Sequence, residues 1–269
     1  ITDPSTNLNS AETILATAQA TPQGRARIAL SAALADVPGW YQTGSPEPAA
    51  TDYTAQELNQ EAWLANVDGP FEFAFRAELE YRAGGNPSWN TDVNYLHQFT
   101  ISAEGREVEN LYKQAGLNLR SDLKALNAAP RIAADPGAVN YLKQYISFDG
   151  QISMPVLTMH TTGDGLVINQ NEQSYAQVVN AAGNGNLLRE TFVHRAGHCA
   201  FTPAETIAAF QTLVHRVNTG EWGDSTSPTL MNSEAAALGS PYNVAPPAFL
   251  RYEPTHYPRP FTLNLDHHK

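Results

Sequence analysis

Between Met154 and Asn218 the periodicity of the chain switches in a way that few architectures satisfy. Pro155-Val-Leu-Thr-Met-His160 is a strand-length, mostly apolar run, closed by Thr162-Gly-Asp-Gly165. Helical spacing follows from Gln170 to Ala182, Gly183-Asn-Gly-Asn186 interrupts it as a turn, and Leu187 to Val193 reads as a second strand. Pro203 to Asn218 is then a second helix, with Thr202 placed to cap its N-terminus. Strand, helix, strand, helix predicts parallel strands covered by helices, because a chain returning to the same edge in the same direction needs a crossover of helix length. The first strand is expected to be buried on both faces. In such sheets, reactive groups collect at the carboxyl ends of the strands. Asp164 directly follows the first strand, and His198, in Arg195-Ala-Gly-His-Cys-Ala-Phe-Thr202, follows the second.

The region before this pattern contains no convincing alternating strand. Ile14, Leu15 and Ala18, then Ile28, Leu30 and Leu34, predict two short helices separated by Thr21-Pro-Gln-Gly24. Further helices are expected over Thr54 to Ala65, through Phe71 to Tyr81 with Gly84-Gly85 as the stop, and over Asp92 to Ile101, Glu104 to Ala115, Leu119 to Leu126 and Gly137 to Gln144. Beyond Trp222 the chain is rich in Pro, Ser and Asn, with Ala248-Phe-Leu-Arg-Tyr252 as its one strand-like piece. Trp222, Phe249, Leu250, Tyr252, Tyr257 and Phe261 are too many large apolar side chains for a solvated tail, so it is expected to pack on the body. The organisation that emerges is a helical region at 1–150, an α/β region at 151–222 and a packed, irregular tail at 223–269.

Composition removes several function classes. The net charge of −11 comes with no basic run longer than a pair, so the chain lacks the electrostatic footprint of a nucleic-acid binder. No apolar run is long enough to cross a bilayer as a helix. Cys199 is the single cysteine, which excludes an internal disulfide framework and a cysteine-based zinc cluster. Scarce lysine with abundant Asn, Thr, Ala and Gly suggests an exported protein. The opening Ile1-Thr-Asp-Pro looks like an interior or processed start.

An acid that orients an imidazole, which in turn deprotonates a hydroxyl, is the division of labour of a Ser-His-Asp triad. Asp164 and His198 fill two of those roles. No G-x-S-x-G elbow occurs between Ile1 and Lys269, and Ser45, Ser88 and Ser240 sit in Gly, Pro and Asn loops without a strand-to-helix turn. With Ile at position 1, an N-terminal nucleophile is not expected. Cys199, immediately after the histidine, reads as a small buried packing residue.

Pro155-Val-Leu-Thr-Met-His-Thr-Thr-Gly-Asp-Gly-Leu-Val167 and Arg195-Ala-Gly-His-Cys-Ala-Phe-Thr-Pro-Ala204 resemble the late-strand acid and histidine segments of the α/β-hydrolase superfamily, whose triad runs Ser, Asp, His along the chain. The helical region is similar to the cap inserted after the sixth strand in capped members, most closely those of actinobacterial secreted type. The resemblance implies a three-layer α/β sandwich to which this chain contributes a cap, the last parallel strands with their helices, and a tail. It implies a serine hydrolase of esterase, lipase or peptidase type whose nucleophile and oxyanion donors lie on an N-terminal chain of the same precursor, giving a divided, heterodimeric enzyme without a cofactor. Two alternatives stay open: a non-catalytic ligand-binding protein on a hydrolase frame, or a dehalogenase or epoxide hydrolase with Asp at the elbow.

The remaining chemistry-bearing residues have simpler readings. His160, His194 and His215 show no metal-ligand spacing, and Asp266-His-His268 reads as a solvated terminus. Glu78 and Glu80, and Glu104, Glu107 and Glu109, read as wet helix faces rather than a glycosidase pair. Among the aromatic residues of the helical region, Trp40, Trp63, Phe71, Phe75 and Trp89 are candidates to line a pocket for a small-molecule or peptide substrate with an apolar part.

Overall fold

The computed structural model describes residues 3–257; Phe261 and the Asp266-His-His268 triplet lie outside them. The fold is mixed α/β, with many helices and one small sheet. The described chain divides into two compact units, the first built from 3–41, 48–147 and 255–257, the second from 42–47 and 148–254.

The first unit is entirely helical: α1 (Pro4–Gln19), α2 (Pro22–Ala33), α3 (Tyr53–Trp63), α4 (Gly69–Ala83), α5 (Tyr95–Ile101), α6 (Gly105–Gln114), α7 (Leu119–Ala128) and α8 (Pro136–Tyr145). Thr21 separates the first two helices as expected, its hydroxyl accepting from the Gly24 N–H at 3.0 Å. Between α3 and α4 the helix does not break at Pro70. Leu64–Asp68 widens into a π turn, which lets the axis run on through a residue without an N–H, and Gly84 ends the helix in the left-handed region at φ 73°. The core of this unit joins Ala26, Ala29, Leu30 and Ala33 of α2 to Phe99, Val108, Leu111, Tyr112 and Leu123.

The wet face expected at Glu104 to Glu109 is corrected by the packing of α6. Glu107 stands beside Val108 on the face that carries Leu111 and is buried, with Gln60 Nε2 donating to its Oε2 at 3.0 Å. Burial first, then repulsion from Glu104 and Glu57, pushes its pKa up to about 8. Asp36, also buried, rises to about 8 for the same first reason with Glu104 as its second, and burial takes Glu57 to about 7. Each of these groups holds its proton to higher pH when folded than when unfolded. Their contribution to stability is therefore fully present below the ordinary carboxylate range, declines as pH rises from there towards 8, and is lost above it. Glu107→Gln keeps the contact to Gln60 and removes the charge. It is expected to raise Tm by about 5 °C at pH 8 and to leave it within about 2 °C of wild type at pH 4.5, read by thermal scans at the two pH values.

The second unit holds β1 (Val156–Gly163), α9 (Gln170–Ala181), β2 (Leu188–Ala196), α10 (Pro203–Thr219), α11 (Pro228–Ala237) and β3 (Phe249–Leu250). The strands run in the order β1-β2-β3. β1 and β2 are parallel, from Val156 against Leu188 to Gly163 against Ala196, and β3 joins β2 antiparallel through Phe249 and Val193. The expected strand-helix-strand-helix order is present. Burial of β1 on both faces is not: its first four residues are only half-buried, and β1 has a strand neighbour on one side alone among the described residues. The tail is less irregular than its composition suggests. α11, opened by Ser227 as N-cap with Pro228 at its first position, packs Met231 and Ala235 against Ala204 and Ala208 of α10, Val193 of β2 and Phe249 of β3.

Candidate active site

β1 and β2 end side by side, and their ends carry the acid and the base. The register slips between Thr161 and Gly163, and the Gly197 N–H donates to the Gly163 carbonyl at 3.0 Å, so the two post-strand turns are joined. Gly197 is required there. Its φ of 102° lies in the region that disfavours side chains, and a Cβ would meet Thr43 Oγ1 at 2.3 Å. Thr43 in turn donates to the Ala196 carbonyl at 2.8 Å, closing the back of the turn.

Asp164 is buried, and both its oxygens are used. Oδ1 accepts from the backbone N–H groups of Leu166 and Val167 at 3.0 Å each, and Oδ2 faces His198 Nδ1 at 2.8 Å. The carboxylate is thus fixed by its own turn before it meets the ring, and it selects the tautomer with the proton on Nδ1. The His198 side chain is 41% exposed. Its Nε2 points to the outer side of the pair, where Cys199 Sγ lies at 3.5 Å. An imidazole held in this way can accept a proton on Nε2 and return it, which is general acid-base chemistry.

The turn carrying His198 is held by a buried ion pair that the sequence motif did not disclose. Arg195, the last charged residue of β2, places NH1 2.6 Å from Glu205 Oε2 and NH2 3.0 Å from Oε1. The guanidinium also donates to the carbonyls of Ala200 and Pro246. Glu205, fully buried, accepts in addition from the N–H groups of Thr202 and Ala248, and forms a capping box with Thr202 at the start of α10. One carboxylate thereby ties together the end of β2, the histidine turn, the first turn of α10 and the approach to β3.

Cys199 is exposed, not a packing residue, and adopts φ 52°. The tight turn between Gly197 and Phe201 turns its side chain outward, and the Phe201 N–H donates to the Cys199 carbonyl at 2.8 Å. His160 is buried with Nδ1 donating to the Thr161 carbonyl, and His194 lies 3.4 Å from Glu47. Among the described residues no group of three His, Cys, Asp or Glu side chains is arranged to hold a metal ion.

The aromatic candidates of the helical unit are scattered by the fold. Trp63 is fully buried, its Nε1 donating to the Trp40 carbonyl at 3.0 Å, and Tyr41 packs edge-on against it. Trp40 is buried as well. Phe71 and Phe75 stack on one another at 4.6 Å on the outside of α4, one turn apart and exposed. Trp89 lines a cavity of the helical unit.

No family model matches the chain, and no solved structure matches it. Among curated proteins, the chain is similar to the o-phthalyl amidase of Xanthobacter agilis, with 35% identity over 224 residues, which are 82% of this chain and 49% of the amidase. The chain therefore spans about half the length of the curated relative it matches.

Proposed function

We propose that this chain supplies the base and the orienting acid of a hydrolase that cleaves amide bonds, with a seryl nucleophile carried by polypeptide outside the 269 residues. The single observation behind this reading is the Asp164–His198 pair: a 2.8 Å contact at Nδ1, a carboxylate pinned by two backbone N–H groups, and Nε2 turned outward. Two further features support it. The relative is an amidase, and about half of that protein lies outside the match, with room for an elbow and an oxyanion hole.

In the proposed reaction the serine attacks the amide carbonyl while His198 Nε2 takes its proton. Asp164 stabilises the resulting imidazolium, and His198 then gives the proton to the departing amine. Water repeats the cycle on the acyl-enzyme, and backbone donors outside this chain hold the oxyanion. Residues 1–150 correspond in this reading to the cap of a capped α/β hydrolase, and export fits the composition.

A second reading comes from Cys199. Its exposed thiol stands 3.5 Å from Nε2, so sulfur, rather than an outside serine, is the other candidate nucleophile. Labelling the intact protein with a fluorophosphonate, mapping the adduct and assaying Cys199→Ala separates the two. The serine reading expects an adduct outside Ile1–Lys269 and a variant with activity within about threefold of wild type. An adduct on a serine within the chain overturns it, and a loss of about 100-fold or more in Cys199→Ala transfers the role to the thiol.

A further inference from the structure

The helical unit contains a cavity of about 550 Å³ between α2, α4, α5 and the loop that precedes α5. That is the volume range of small-molecule sites. Its apolar wall includes Leu34, Trp89, Val93 and Ile132, and Tyr95 stands among them. Most polar groups on the wall are already engaged. Arg76 pairs with Glu80 at 3.0 Å and donates to Ser88 Oγ and Asn86 Oδ1. Asn90 donates to the Tyr95 hydroxyl at 3.0 Å and accepts from the Ile132 N–H at 2.6 Å.

Gln98 is different. It lines the same cavity from α5, is 2% exposed, and both its amide oxygen and its amide nitrogen lack a hydrogen-bond partner. A buried amide with neither group paired costs about as much as two lost hydrogen bonds, and next to an open volume it leaves a donor and an acceptor available to a ligand. The donor and the acceptor leave Gln98 side by side, and another amide presents the complementary pair in the same plane. A carboxylate offers the Gln98 oxygen no donor, and the Arg76 guanidinium that could attract it is already paired with Glu80. An ammonium satisfies the oxygen and leaves the nitrogen unpaired.

We propose that this cavity is a binding site for a neutral carboxamide on an aromatic or alicyclic body, the amide paired with Gln98 and the ring lying against Trp89 and Val93. The proposal stands on the helical unit alone and holds whichever nucleophile serves His198.

Benzamide, titrated into the ¹⁵N-labelled intact protein and followed by NMR, tests it. Saturable shifts are expected at the backbone amides of residues 86–98 and at the Gln98 side-chain NH₂, with benzoate and benzylamine binding at least about tenfold more weakly. Gln98→Leu removes an unpaired buried amide, so it is expected to be as thermostable as wild type without ligand and to weaken benzamide at least about tenfold. Three results overturn the assignment: no saturable shift at residues 86–98 up to about 10 mM benzamide, benzoate binding equally well, or unchanged affinity in Gln98→Leu. Shifts confined to the turn around His198 likewise overturn it, since they place benzamide at the acid-base pair. If Gln98→Leu fails to fold, the Gln98 NH₂ shift in wild type decides, and its absence counts against the site.

Discussion

In the intact enzyme, Asp164→Asn is expected to lower kcat on an amide substrate by about 10⁴-fold, with KM changed by less than about threefold. Asparagine offers an amide nitrogen as readily as an oxygen to His198 Nδ1, and the tautomer with its proton on Nε2 then prevails, so the ring can no longer accept from a nucleophile. His198→Ala removes the base itself and is expected to cost as much. The double variant is expected to be no slower than His198→Ala, because an acid that acts only through the imidazole has nothing left to act on. Both substitutions leave Arg195, Glu205 and Thr202 in place, so far-UV circular dichroism should not change. Activity within tenfold of wild type for either single variant removes the pair from the mechanism.

The second large effect concerns stability. Glu205→Ala is expected to destabilise the protein by about 3–5 kcal/mol in urea unfolding, because it leaves the Arg195 guanidinium buried without its counter-charge. It also deprives the Thr202 and Ala248 N–H groups of their acceptor. Replacing both partners with apolar residues of similar volume should recover the part of that loss that comes from the stranded charge, and not the part that comes from the two N–H groups. The loss should also be local: amide exchange in the 195–202 turn should accelerate before that of β1 or α9. A destabilisation below about 1 kcal/mol means that the pair contributes little and that the histidine turn is held by Gly197 and Thr43 instead.

The pattern that places Asp164 and His198 at adjacent strand ends was legible in the residues, since a strand-length run gives way to helical spacing twice within 65 positions. The helices of the first unit were legible for the same reason, with Thr21-Pro-Gln-Gly24 and Gly84-Gly85 marking two of their ends, and Thr202 marked the start of α10 in the second unit by its capping chemistry. α11 was hidden because small residues dominate it: Ala235, Ala236 and Ala237 carry no apolar period, and the Pro and Ser around them argued for a loop. The buried carboxylates were hidden for another reason. Charge predicts solvent, and only the packing of α6 against α2 and α3 places Glu107 inside. Arg195 stood in the quoted motif without a role, because its partner Glu205 lies across a turn whose path spacing alone does not give. Cys199 was read as packing because its residue type is usually buried. A left-handed backbone at that position sends it outward.

The outer margin of β1 carries one more implication. An eight-residue strand bonded to β2 alone presents its other edge without a strand partner among the described residues. Such an edge is a template: it fixes direction, spacing and register for whatever chain lies along it, and it does not discriminate strongly among sequences. Wherever these residues are produced without a strand to lie there, self-association through that margin is the physical hazard, and solubility then depends on how quickly the edge is covered.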